Sequence, residues 1–142
     1  MSEWISVNEV LFLAGKACGC GFAQIPGKKI LFRGKMPEGE TVTLCSPQSK
    51  MHPQGFYWVD ITQEQARVLN ETDRGLICFR LEGRNLLMVP WADLKQYLTA
   101  DCMRYNTHEQ HHWKLHIEKD RIKISGSKQA MPAVLYHCEA DE

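Results

Sequence analysis

The longest apolar pattern in the chain runs from Gly75 to Leu98 and predicts a β-hairpin followed by a short helix. Two apolar runs, 76–81 and 86–89, flank residues 82–85, where Gly and Asn suit a tight turn. Strands that are apolar on both faces are usually buried on both faces, so we expect this hairpin in the middle of a sheet. Beyond Pro90, apolar residues recur at helical spacing, which predicts an amphipathic helix across the hairpin.

Two capping boxes predict where two further helices begin. In the first, the Ser6 side chain accepts from the backbone N–H of Glu9, and the Glu9 side chain reaches back to Ser6. Thr62 and Gln65 have the same spacing and the same chemistry. Gly19 is placed to end the first helix in a left-handed conformation.

Short β-rich runs predict the remaining strands. These are 29–33, 41–45, 56–61, 113–117, 122–124 and 134–136. The run 113–117 alternates strictly, so Trp113, Leu115 and Ile117 are expected to face the core. The pattern therefore predicts one α+β domain over residues 1–142, with an N-terminal helix, a mixed or mainly antiparallel sheet and two further short helices.

Composition limits the classes of function that the chain can have. It has 142 residues, enough for one domain with a real core. Lys and Arg number 17, as do Asp and Glu, so the formal net charge is zero. Neutrality argues against general electrostatic attachment to nucleic acid or membrane, but it leaves room for a local basic patch. No segment has the pattern of a signal peptide or a membrane span, so we expect a soluble cytoplasmic protein with its six cysteines reduced.

Positive residues concentrate on two predicted hairpins, near aromatic residues that can stack on a nucleotide or a single strand. We therefore predict a non-catalytic binding or accessory protein that contacts a nucleotide, a nucleic acid or a protein, without cofactor or metal. The alternative interpretation is that these lysines are solvated charges that protect edge strands from aggregation. The candidate ligand-binding residues are Lys28, Lys29, Arg33, Lys35, Lys114, Arg121, Lys123, Tyr57 and Trp58.

The segment from His108 to His112 resembles the His-Glu-x-x-His motif of zinc peptidases. The resemblance implies that His108 and His112 bind zinc and that Glu109 acts as the base. The motif requires a helix, whereas an alternating strand is predicted to begin at or next to His112. Residues four apart on an extended chain are about 13 Å apart, too far to share one ion. These two points argue against a shared zinc ion, so a zinc hydrolase is kept as an alternative and not as the main prediction.

Asp60 at the end of a predicted strand, together with Glu82, resembles the acidic site of restriction-nuclease-like domains. The resemblance implies that both carboxylates bind magnesium in an enzyme that acts on DNA. The Glu-x-Lys of that family here ends in Arg84, which stays charged and does not relay protons. A divergent nuclease-like domain is thus a second alternative.

Overall fold

The computed structural model of the protein describes residues 3–105 and 111–139. Within these ranges the chain forms an α+β fold, which confirms the predicted class. The α-helices are α1 (Val7–Cys18), α2 (Gln63–Leu69) and α3 (Trp91–Leu94). The strands are β1 (Phe22–Gln24), β2 (Leu31–Lys35), β3 (Thr41–Cys45), β4 (Gln48–Ser49), β5 (Tyr57–Thr62), β6 (Arg74–Leu81), β7 (Asn85–Pro90), β8 (Arg104–Tyr105), β9 (His111–Ile117), β10 (Arg121–Ile124), β11 (Ala130–Pro132) and β12 (Tyr136–His137).

The strands form two sheets. In the first sheet the order is β1-β2-β3-β6-β7-β12, and β4 also pairs with β6. In the second sheet the order is β11-β10-β9-β5, and β8 also pairs with β9. β6 pairs in parallel with β3 and β4, and the other pairings described are antiparallel. The hairpin predicted from the sequence is β6–β7, and it lies inside the first sheet.

The hydrophobic residues of β6 are divided between two cores. Ile77 and Phe79 point towards the second sheet, where they join the larger core between the two sheets. Cys78 points the other way and packs in a smaller cluster with Val10 and Ala14 of α1. β6 is therefore buried on both faces, as its unbroken apolar run predicts. The residues that the second sheet contributes to the larger core include Tyr57, Val59, Ile61, Trp113, Leu115, Ile117, Ile122 and Ile124.

Both predicted capping boxes are present, with all four reciprocal hydrogen bonds. α1 ends at Gly19, whose φ of 71° is in the left-handed region that Gly adopts without strain. α3 is shorter than predicted, because the chain continues from Leu94 as a 3₁₀ turn over Lys95–Tyr97. No helix in the described ranges has both the length and the apolar character to cross a membrane.

Several strand boundaries differ from the prediction, and the sequence pattern does not predict β1, β4, β8 or β11. β2 begins at Leu31 and extends to Lys35, two residues later than predicted at each end. The last strand of the described ranges is β12, which begins at Tyr136, two residues later than predicted. β11 contains Pro132, which has no backbone N–H to donate to a neighbouring strand. Here β11 is an edge strand, where a missing N–H donor is tolerated.

A buried arginine ties both outer segments of the described chain to the β6–β7 turn. Arg84 donates from Nε to the carbonyl of Cys138 (2.8 Å) and from one terminal nitrogen to the carbonyl of Trp4 (3.2 Å). Its other terminal nitrogen lies 2.6 Å from Oε2 of Glu9. Its backbone N–H donates to the carbonyl of Glu3, and its φ is 60°. We refer to these contacts as the Arg84 clamp.

Candidate functional site

The outer face of the second sheet carries the chemistry of the candidate site. Alternate residues of β5 and β9 point into the core, so those between them point outwards. The register places Trp58 opposite His116 and Asp60 opposite Lys114. On the far side of β9, His116 is opposite Lys123 of β10. An aromatic ring, an imidazole and an ammonium group therefore lie in one row across three strands.

Stacked rings cover part of this face. Phe56 is stacked between two imidazoles, with ring centroids 4.4 Å from His52 and 4.0 Å from His116. We call these three rings the aromatic column. The indole of Trp58 meets the column edge-on, 5.2 Å from Phe56 and 4.8 Å from His116. Trp58 nevertheless stays 39% exposed, so part of its surface is open to a ligand.

Lys114 lies over Trp58 and not against the carboxylate opposite it in register. The Lys114 Nζ is 5.1 Å from the centroid of the indole ring, within the range of a cation–π contact. In residues 3–105 and 111–139, neither Lys114 nor Asp60 has an ion-pair partner, and the Asp60 carboxylate accepts no hydrogen bond. An open depression of about 340 Å³ lies beside both side chains.

The cations on the other side of the face share one carboxylate. Glu118 lies 3.1 Å from the Lys123 Nζ, 3.0 Å from the His116 Nε2 and 3.4 Å from the Arg121 Nε. The hydrogen bond from Lys123, with the charges of Lys123, His116 and Arg121, lowers the pKa of Glu118 below its usual range. Arg121 also contacts Asp120 (3.2 Å). This edge is therefore an ion-pair network, and Lys123 and Arg121 are not isolated cations.

Two cations of the first basic hairpin pair with carboxylates in α2 and just after it. The Lys28 Nζ lies 3.5 Å from Glu64, and Arg33 lies 3.0 Å from Glu71. These pairs connect the β1–β2 region to α2 and to the turn that follows it. Lys28 and Arg33 are therefore structural contacts in this conformation, although both keep part of their surface exposed.

The other two cations of that hairpin, Lys29 and Lys35, are exposed. Neither forms an ion pair within the described part of the chain. Ile30 follows Lys29 directly and lines the same depression as Trp58 and Lys114. The loop that carries Lys29 therefore reaches the rim of the depression, and the two basic hairpins approach each other there.

Tyr57 does not fit the expectation that it offers a stacking surface. Its side chain points inwards and is 2% exposed. Its hydroxyl donates to the carbonyl of Glu82 (2.7 Å) and accepts from Nδ2 of Asn85 (3.1 Å). The physical reason is the alternation of β5, which puts Tyr57 in the core and its neighbour Trp58 outside.

The zinc-peptidase pattern falls partly outside the described residues, because His108 and Glu109 lie between the two ranges. His112 belongs to β9 and is opposite Thr62 of β5 and Arg104 of β8, on an extended chain as predicted. Within the described ranges, no group of three or more His, Cys, Asp or Glu side chains is arranged to hold a metal ion.

The residues of the nuclease-like pattern make separate contacts. Glu82 lies in the β6–β7 turn of the first sheet, where its Oε1 accepts from the backbone N–H of Met51 (2.8 Å). Asp60 points outwards from the second sheet, beside Lys114. Arg84 is in the position where that family has its lysine, and its guanidinium makes the contacts of the Arg84 clamp.

Several residues of the face were not among the sequence candidates. They are His52, Phe56, His116, Gln48 and Gln65. The sequence does contain a signal for His116. The alternation that buries residues 113, 115 and 117 turns His116 outwards, on the same face as Lys114. The chemistry of the face is thus defined by exposed ring surfaces, ammonium groups and one unpaired carboxylate.

Comparison of the chain with protein-family models, curated proteins and solved structures finds no match.

Proposed function

We propose that the protein binds nucleotide units, free or within single-stranded nucleic acid, on the outer face of its second sheet. The observation that carries the proposal is the exposed Trp58 beside the aromatic column, with the Lys114 ammonium over its ring. Aromatic rings on the open face of a sheet are a recurrent platform for unpaired bases. The binding is non-catalytic and uses no cofactor.

Stacking supplies the main part of the affinity in this proposal. A base stacked on an aromatic side chain contributes about 1–3 kcal/mol. Lys114 is available for a phosphate, because its contact with an exposed ring contributes only about 0.5–1 kcal/mol and it has no ion pair in the described ranges. A phosphate offers the Lys114 ammonium group a full negative charge in place of the ring. The base and the phosphate of one nucleotide are thus matched by two neighbouring side chains.

The binding is expected to be local and weakly dependent on salt. The molecule is neutral overall, so no long-range field attracts a polyanion. If Lys114 neutralises one phosphate, the slope of log affinity against log salt for a single strand is about −0.7. β5, β9 and β10 together are about 10 Å wide. The face therefore accommodates about two or three bases, as on other open sheets.

The test is fluorescence anisotropy with labelled DNA and RNA single strands of about ten nucleotides, with mononucleotides as competitors. The strands and the mononucleotides distinguish a nucleic-acid ligand from a free nucleotide. We expect Trp58→Ala to weaken binding about 5- to 150-fold, the equivalent of one stacked base. We expect Lys114→Gln to weaken binding and to reduce the salt slope by about 0.7.

α1 offers a matched control. Phe12 is 65% exposed, and the Lys16 Nζ lies 5.3 Å from its ring centroid, so the pair has the same chemistry at a distant place. Phe12→Ala and Lys16→Gln are expected to bind as the wild-type protein does. The proposal is wrong if no nucleotide or strand binds at low salt, or if Trp58→Ala binds as tightly as the wild type.

A further inference from the structure

We infer that the depression beside Trp58 selects guanine among the bases, an inference that rests on the proposed function. The depression has a volume of about 340 Å³, the size of a small-molecule site. Its lining includes Trp58, Asp60, Lys114 and the amides of Gln48 and Gln65. A base stacked against the indole would present its edge to these polar groups.

The polar groups of the depression offer a ligand one charged acceptor and several donors. The acceptor is the Asp60 carboxylate, which accepts no hydrogen bond from the described residues. Gln65 uses its Oε1 to accept from the backbone N–H of Thr62 (3.0 Å), which leaves its Nε2 as a donor. Gln48 uses its Oε1 in a long contact with Arg80 (3.5 Å), so its Nε2 is also a donor.

The positions of Asp60 and Lys114 leave space for a group between them. They are opposite each other in the β5–β9 register, where oppositely charged side chains commonly pair. Here Lys114 is over the indole, and the two charged groups are more than an ion-pair distance apart. A nucleotide whose base donates to Asp60 and whose phosphate accepts from Lys114 would satisfy both groups at once.

Guanine has the edge that matches this arrangement. Its N1–H and its N2 amino group are adjacent donors, and a carboxylate accepts two parallel donors in a strong bidentate pair. Its O6, next to N1, accepts from the Nε2 of Gln65 or Gln48, which leaves Lys114 for the phosphate. Adenine and cytosine each offer one amino group beside an acceptor nitrogen, and uracil offers one N–H, so none of them engages both oxygens of Asp60 with adjacent donors.

The experiment is isothermal titration calorimetry of the whole protein with the 5′-monophosphates of guanosine, inosine, adenosine, cytidine and uridine. We expect guanosine monophosphate to bind about 5- to 150-fold more tightly than the adenosine, cytidine and uridine nucleotides, the discrimination of one bidentate pair. Inosine monophosphate lacks the N2 amino group and is expected to lose most of this preference. Asp60→Asn is expected to remove the preference, so that guanosine and adenosine monophosphates bind with about equal affinity.

The control variant is Asp93→Asn, which changes an exposed carboxylate on α3 and is expected to keep the preference. A Tm by circular dichroism close to that of the wild type shows that Asp60→Asn is folded. If no nucleotide binds, the proposed function fails and the guanine inference fails with it. If all five bind equally and Trp58→Ala weakens all of them, the proposed function stands and guanine selection is wrong. Guanine preference that survives Asp60→Asn also overturns the inference.

Discussion

Replacing Arg84 tests how strongly the Arg84 clamp stabilises the fold. Its guanidinium donates to the carbonyls of Trp4 and Cys138, which are 80 and 54 residues away in the sequence. Hydrogen bonds from a charged donor contribute about 1.5–3 kcal/mol each. Both carbonyls are only partly buried, so water partly replaces the lost donor and the lower end of this range applies. Arg84→Ala is therefore expected to lower the free energy of unfolding by about 3 kcal/mol.

The pair with Glu9 adds little to that figure. The Glu9 side chain is 44% exposed, and ion pairs in contact with solvent contribute little to stability. The estimate for Arg84→Ala therefore rests on the two carbonyl contacts alone.

The backbone of Arg84 makes a second variant informative. Its φ of 60° is in the left-handed region, which costs a residue with a Cβ atom about 1–2 kcal/mol. Gly avoids this strain, but its greater conformational freedom stabilises the unfolded chain by about 0.4–1 kcal/mol. Arg84→Gly is therefore expected to be more stable than Arg84→Ala by about 0.5–1 kcal/mol, although both lose the same side-chain contacts.

Urea unfolding, extrapolated linearly to water, measures these differences. Arg67→Ala is the matched control, because Arg67 also contacts two acids but lies exposed on α2 and is expected to matter little. The reasoning on the carbonyl contacts is refuted if Arg84→Ala stays within about 0.5 kcal/mol of the wild type. The reasoning on backbone strain is refuted if the Ala variant is more stable than the Gly variant.

Two further predictions concern packing and acid stability. A Cβ at Gly75 would lie 2.6 Å from the Cβ of Trp91, so Gly75→Ala is expected to lower the free energy of unfolding by about 1–3 kcal/mol. Gly21→Ala, which meets no atom within 4 Å, is the control in the same urea assay, and an equal loss there would contradict the packing argument. The pKa of Glu9 is lowered, first by the backbone N–H of Ser6 and then by Arg84. A lowered pKa in the folded state stabilises the fold above the pKa of the unfolded chain, and this contribution is lost as the pH falls through the folded value. The Tm followed by circular dichroism is therefore expected to fall as the pH is lowered below 4.5, the ordinary pKa of the carboxyl group. The fall is expected to be less steep in Glu9→Gln, and equal slopes would argue against a role for this carboxylate.

The features predicted from the sequence are those that depend on near neighbours. The Ser6–Glu9 capping box joins residues three apart, so the start of α1 is readable without any tertiary information. The alternation of β9 is equally local, and it correctly separates the buried Trp113 from the outward residue beside it. The β6–β7 turn follows from Gly83 and the apolar runs on both sides.

The features that could not be predicted depend on distant partners. Nothing in the β3 pattern distinguishes a parallel partner from an antiparallel one, and nothing in β5 shows that it pairs with β9 in a separate sheet. Arg84 looks like an ordinary polar turn residue until the segments at Trp4 and Cys138 are placed beside it. The aromatic column likewise requires His52, in a loop, to meet a residue of β9 that lies more than 60 positions later.

The connection from β3 to β6 has a consequence for how the molecule assembles. That crossover contains β5, which belongs to the second sheet, while the strand that pairs with it, β9, follows only after the β6–β7 hairpin. Closing so long a loop is entropically slow, so we expect β5–β9 pairing late on the folding pathway, after the local hairpins. The surface that carries Trp58 would then be the last part of the protein to mature, and a nascent chain released before β9 would present the indole without the strand that aligns it.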